Sequence, residues 1–204
     1  MRLTNRAGVL AMAAAVSAAA LAAADEAKKP AGRAAAMDEK AMMEAWIKVA
    51  TPGDGHKWLE PVIGGWDTKI SMWMAPGTPP RQSTGTADHK WVLGGRFVEQ
   101  RYEGSFMGQP FSGVGYTGYD NYKKKYVGTW MDTMGTMIMV SQGDAAGKTL
   151  TMSSTIDDVI TGKATAVKSE IKIVDADHHT MEMWGPDPTG KSFKTLEIQY
   201  TRKK

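Results

Sequence analysis

The chain has no cysteine among its 204 residues. That absence excludes disulfides, thiol redox chemistry, zinc–thiolate sites, a cysteine nucleophile and a lipid anchor on an N-terminal cysteine. A charge of one sign is also missing, with 25 basic residues against 22 acidic and only four histidines. Nothing in that balance points to nucleic acid or to an acidic partner surface. No G-x-S-x-G, Walker, G-x-G-x-x-G or H-E-x-x-H motif occurs, so no familiar catalytic or phosphate-binding constellation is present. Strand–helix alternation is absent too, which argues against a parallel α/β fold.

One apolar run stands out, at the N-terminus. Arg2 and Arg6 precede Gly8 to Leu21, and Ala22-Ala23-Ala24 stands before Asp25. A basic start, a short apolar stretch and an A-x-A site read as a cleaved secretory signal over residues 1–24. The run is too short and too alanine-rich for a good membrane span. Cleavage after Ala24 would remove two arginines and no acid, leaving 25 − 2 = 23 basic against 22 acidic residues. The expected location is the periplasm or the exterior, with no membrane span in the mature chain. Lacking disulfides there, the mature chain must be stabilised by core burial, for which one domain of this size suffices.

Residues 25–36 are small and charged and read as a linker. Residues 37–53 read as a helix ended by Thr51-Pro52-Gly53. Its apolar stripe of Met42, Met43, Trp46, Ile47 and Ala50 is expected to lie on the barrel wall or over an open end. Residues 54–204 form the main domain. A short helical segment, Asp54 to Ile63, leads through Gly64-Gly65 into a series of strands recognised by period-two alternation and regularly spaced turns. The clearest alternates Val167, Ser169, Ile171 and Ile173 against Lys168, Glu170 and Lys172. About ten strands with hairpin-length connections predict an all-β, up-and-down antiparallel barrel.

A barrel interior is either filled by side chains or holds one small ligand. His89 and Trp91 share the apolar face of the second strand, Tyr102 lies on the less charged face of the third, and Trp130 comes from the fifth. These four are the expected border of an apolar pocket. Methionines paired at i, i+2 supply an adaptable wall, Met72/Met74 and Met137/Met139 foremost, with Met181/Met183 a third pair. Trp66 is expected to plug one barrel end. Copper at the methionines and a metal at His178-His179 are the ligand alternatives. Thioethers suit Cu(I), but no Met-x-x-Met cluster is present, and two histidines read in a hairpin turn do not make a site of three or four converging ligands. No cofactor and no metal site are expected.

Gly64-Gly65-Trp66 resembles the G-x-W opening of lipocalin-like barrels. His56-Lys57-Trp58-Leu59, Met72-Trp73-Met74-Ala75-Pro76-Gly77, Trp91-Val92-Leu93-Gly94-Gly95-Arg96-Phe97, Gly118-Tyr119-Asp120-Asn121, Lys124-Lys125-Tyr126 and Trp130-Met131-Asp132 are similar to the pattern of a bacterial family, domain of unknown function 1579. The resemblance covers residues 54–204. It implies a calycin-type barrel akin to lipocalins, fatty-acid-binding proteins and, distantly, nitrobindins. It supplies no activity and no site residue. Nitrobindin-like relatives bind haem through a histidine near the C-terminal strands; residues 192–204 contain none.

Three functions remain open at this level: a barrel that binds a small apolar molecule without chemistry, an envelope-associated interaction protein with a filled barrel, and an enzyme of unrecognised type using His89 or a tyrosine. Ligand identity and oligomeric state are not legible.

Overall fold

Period-two alternation over residues 64–202 produces ten antiparallel strands: β1 (Gly64–Met72), β2 (Arg81–Val92), β3 (Phe97–Phe106), β4 (Gln109–Asp120), β5 (Lys125–Asp132), β6 (Met139–Ala146), β7 (Thr149–Asp157), β8 (Ala164–Ile173), β9 (His178–Pro186) and β10 (Ser192–Arg202). Each pairs with its sequence neighbours, and β1 pairs with β10 from Trp66↔Arg202 to Met72↔Leu196, closing the barrel and leaving no free edge. The computed structural model describes residues 38–158 and 162–204. The expected signal segment, the linker and Met37 lie outside the described residues. No described helix is long and apolar enough to cross a membrane.

Turn chemistry sets the hairpins. Between β2 and β3, Leu93, Gly94 and Gly95 all have positive φ (48°, 67° and 80°), a path two glycines make accessible. Between β4 and β5 the Asp120 carboxylate accepts the backbone N–H groups of Tyr122 and Lys123, the side-chain turn typical of Asp.

Helix α1 (Glu39–Ala50) departs from its expected role. It buries no residue, and Trp46 is 67% exposed, with Met42, Met43 and Ile47 exposed beside it. The Asn121 amide holds its end by donating to the Val49 and Thr51 carbonyls. Amphipathic spacing made the helix but did not supply a receiving surface. The closed barrel end is already taken by the next segment, and the outer wall carries charge, such as the Arg101–Glu99 pair at 2.6 Å.

That next segment is α2 (Asp54–Lys57) and a 3₁₀ turn (Glu60–Val62). It buries His56, Leu59 and Val62. Tyr126 donates to the Gly55 carbonyl at 2.9 Å and Trp58 to the Gly147 carbonyl at 2.8 Å. Leu59 enters a core cluster with Val98, Tyr126, Leu150 and Met152 that fills this end. A second cluster, Trp66, Ala87, Tyr102, Ile198 and Tyr200, continues along the inner wall.

Candidate functional site: an apolar cavity with a polar patch

Beyond these clusters the interior is not filled. It holds a cavity of about 490 Å³. Glycines explain part of the space. On β4, a Cβ at Gly113 would sit 2.2 Å from the Trp130 ring, so the indole lies flat on bare backbone. A Cβ at Gly85 or at Gly104 would sit 2.2 Å from the Tyr102 hydroxyl oxygen, so this ring too is laid along the wall. The glycine-rich β4 is thus a site of close approach, one of the uses of glycine inside a strand.

The strand ends opposite the 54–63 segment form the mouth. Met72, Phe106, Phe111, Met134, Met137, Met139 and Met183 line the cavity there, and Met134 and Met137 are also exposed to solvent. Eight of the described methionines line the cavity, and their unbranched, polarizable side chains can reshape it around differently shaped occupants. Asp132 is also at the mouth and accepts the Trp130 indole N–H at 2.9 Å.

Towards the closed end the lining becomes polar and aromatic. Trp66 is 1% exposed and donates its indole N–H to the Val62 carbonyl at 2.9 Å. The Arg202 guanidinium stacks over that ring at 4.1 Å and donates to the Ile63 and Pro61 carbonyls. One cation thereby clamps the closing segment to the last strand. His89 Nδ1 lies 2.9 Å from the same Val62 carbonyl. A carbonyl only accepts, so in the neutral ring Nδ1 carries the proton and Nε2 keeps a bare lone pair. His179 stacks on Tyr200 with ring centres 4.1 Å apart and meets the Trp66 ring edge-on at 4.3 Å. The two imidazoles are 5.9 Å apart.

Burial sets their protonation. Desolvation lowers the His89 pKa to about 4, against the opposing pull of the Val62 hydrogen bond and nearby Asp88. Desolvation lowers His179 to about 3, helped by the positive charges that His89 and Arg202 can bring. Both rings are neutral at pH 7. Burial likewise raises the Tyr102 and Tyr200 phenols, so neither ionises.

The register puts Gly104, Gly85, Thr68, Tyr200 and His179 in one row across β3, β2, β1, β10 and β9. Among the described residues, three buried side-chain polar atoms lack a hydrogen-bond partner: Thr68 Oγ1, Tyr102 OH and His179 Nδ1. All three fall on this row, since the Tyr102 hydroxyl lies over Gly85 and Gly104. The Thr68 and Tyr102 hydroxyls are close enough to influence each other without completing a bond of good geometry.

Of the residues singled out in the sequence, His89, Tyr102, Trp130, Met72, Met137 and Met139 line the cavity. Two do not. Trp91 pairs with Val98 and packs on the Leu59–Val98 cluster, in the end filled by the 54–63 segment. Met74 follows the end of β1 and is 60% exposed, because the chain leaves the ladder after Trp73 bonds Thr195. Met137 reaches the cavity from the loop before β6, which begins at Met139 rather than at 137. The histidine pair read as a turn belongs to β9. His178 points out to Asp175 at 2.9 Å and His179 points in. His179 and Tyr200 are cavity residues that the sequence did not assign to the pocket, and Met181 and Met183, the third methionine pair, line it as well. The signal was available, since His179, Met181 and Met183 continue one period-two row. No group of three or more His, Asp or Glu able to hold a metal occurs among the described residues.

The sequence model of the family described as "Protein of unknown function (DUF1579)" matches residues 51–202, and the chain belongs to that family. No curated protein matches it. Among solved structures, Rv2717c from M. tuberculosis superposes with a TM-score of 0.54 at 16% identity, over 76% of this chain and 100% of that one. At that identity the likeness concerns the fold alone. A redesigned β-barrel gives 0.39 at 12% identity over the same shares, which carries no argument.

Proposed function

We propose that this DUF1579 barrel is a binding protein of the periplasm or exterior that encloses one small, largely apolar molecule and does no chemistry on it. The observation that carries the reading is the interior cavity of about 490 Å³, walled by methionine and aromatic side chains with a few polar groups. Small-molecule sites are of roughly 300–1,000 Å³ and have that composition. A barrel serving only as a scaffold would instead be packed to the density of other interiors. An enzymatic role for His89 would call for a converging carboxylate; its bond goes to the Val62 carbonyl, and its ring neighbours Trp66, His179 and Tyr200 supply none. The secretory location rests on Arg2, Arg6, the Gly8–Leu21 run and Ala22–Ala24.

Native mass spectrometry on protein purified from its own compartment tests the reading. The expected result is a mass above that of the chain, released on denaturation as a small apolar compound. Protein that carries nothing and fails to bind the neutral fluorophore N-phenyl-1-naphthylamine would overturn it.

A further inference from the structure

We propose that the molecule held in this barrel is uncharged, with a hydroxyl end seated against the Tyr102–His179 patch and an apolar body among the methionines. This deepens the binding reading above and rests on it. Three observations carry it. First, the only buried side-chain polar atoms without a partner among the described residues lie together on this one row, and two of the three residues, Tyr102 and His179, line the cavity. Buried polar groups are nearly always hydrogen-bonded, so a cluster of exceptions beside a cavity marks where a ligand's polar atom belongs.

Second, the patch offers both donors and acceptors: the Tyr102 hydroxyl, the neutral His179 ring and the bare Nε2 of His89. A hydroxyl both donates and accepts and can use both kinds, whereas a carboxylate only accepts.

Third, among the described residues no cation faces the cavity. The only charged lining residues among them are Arg101 and Asp132. The Arg101 guanidinium is held by Glu99 on the outer wall at 2.6 Å, and Asp132 places a carboxylate at the mouth. Arg202 is committed to the Trp66 ring and to backbone carbonyls. Neither histidine supplies the charge, because at pH 7 a group of pKa about 4 is protonated about one time in a thousand. Entering as the neutral acid is similarly penalised, by a factor of several hundred for an ordinary carboxyl group.

The test compares decan-1-ol, decanoate and decane on the full-length mature protein at pH 7, each displacing N-phenyl-1-naphthylamine. Decan-1-ol should bind, with decanoate roughly a hundredfold or more weaker. Decane should be weaker than the alcohol by about 2–10-fold, the worth of a hydrogen bond, and Tyr102→Phe should erase most of that difference. Decanoate binding as tightly as decan-1-ol, or decane binding as tightly as the alcohol, overturns the inference and leaves the binding reading standing. If none of the three displaces the probe and the probe itself does not bind, the binding reading fails and the inference goes with it.

Discussion

Acid should unfold this barrel earlier than its carboxylates require, and the buried histidines set the size of the effect. In the folded protein His89 and His179 have pKa values lowered to about 4 and about 3. In the unfolded chain both return to about 6.5. The native state therefore binds fewer protons than the unfolded state, and stability rises with pH wherever that holds. The contribution is fully present above pH 6.5 and is lost as pH drops through the window from 6.5 towards 4 and 3. At pH 5 an unfolded imidazole is almost fully protonated and a native one is not, which costs about 2 kcal/mol per histidine relative to pH 7. Together they amount to about 4 kcal/mol, a large share of a typical stability of 5–15 kcal/mol. His56, held low first by burial and then by Arg96, adds in the same direction. The turn carboxylates Asp120, Asp175 and Asp187 are held low by hydrogen bonds, so their effect comes below about pH 4 and leaves the interval from 7 to 5 to the histidines. Urea unfolding at pH 7 and pH 5 should show a lower midpoint at pH 5 with an unchanged slope. His179→Phe keeps a ring against Tyr200 and removes an unpartnered nitrogen, so it should be no less stable at pH 7 and should lose about half of the pH dependence. Equal midpoints at the two pH values, or full pH dependence in His179→Phe, would refute the reasoning.

Trp66→Ala empties the closed end beneath Val62 and removes the surface on which Arg202 stacks; it should cost about 3–5 kcal/mol and lower Tm by roughly 6–20 °C, and a wild-type denaturation curve would show that Trp66 is not the plug. Gly113→Ala brings a methyl within 2.2 Å of the Trp130 ring, so the indole must leave the wall at about 1–3 kcal/mol, with a shift in tryptophan emission; unchanged emission and stability would mean that the close approach is absent. A chain beginning at Thr51 lacks α1, which buries nothing, and should melt within about 2 °C of a chain beginning at Asp25, as expected of surface changes; a large drop would mean that the helix face is covered in the longer chain.

The ten strands and their order were legible because local patterning and short connections act over neighbouring residues. Alternation assigns each strand a face, and hairpin-length loops force sequential antiparallel pairing. Trp66 was legible for a similar reason: the double glycine and the apolar helical spacing at Trp58, Leu59, Val62 and Ile63 both place it where the chain enters the barrel. His89 and Tyr102 could be put on an inward face by period two alone, whereas the alternation around Trp130 is ambiguous.

The remainder required the closed barrel. Trp91 and His89 share a face, yet one sits in the filled end and the other beside the cavity, because depth along a barrel depends on which residues stand across the ladder and on what caps the end. Met74 falls outside the wall because β1 ends at Met72. The α1 stripe carries a helical period but no statement of what it faces. The row that joins Thr68, Tyr200 and His179 to the Tyr102 hydroxyl draws on residues more than a hundred positions apart, and it exists because β1 pairs with β10. Alternation says that a side chain points inward. Only closure of the sheet decides which inward side chains meet, and whether space is left between them.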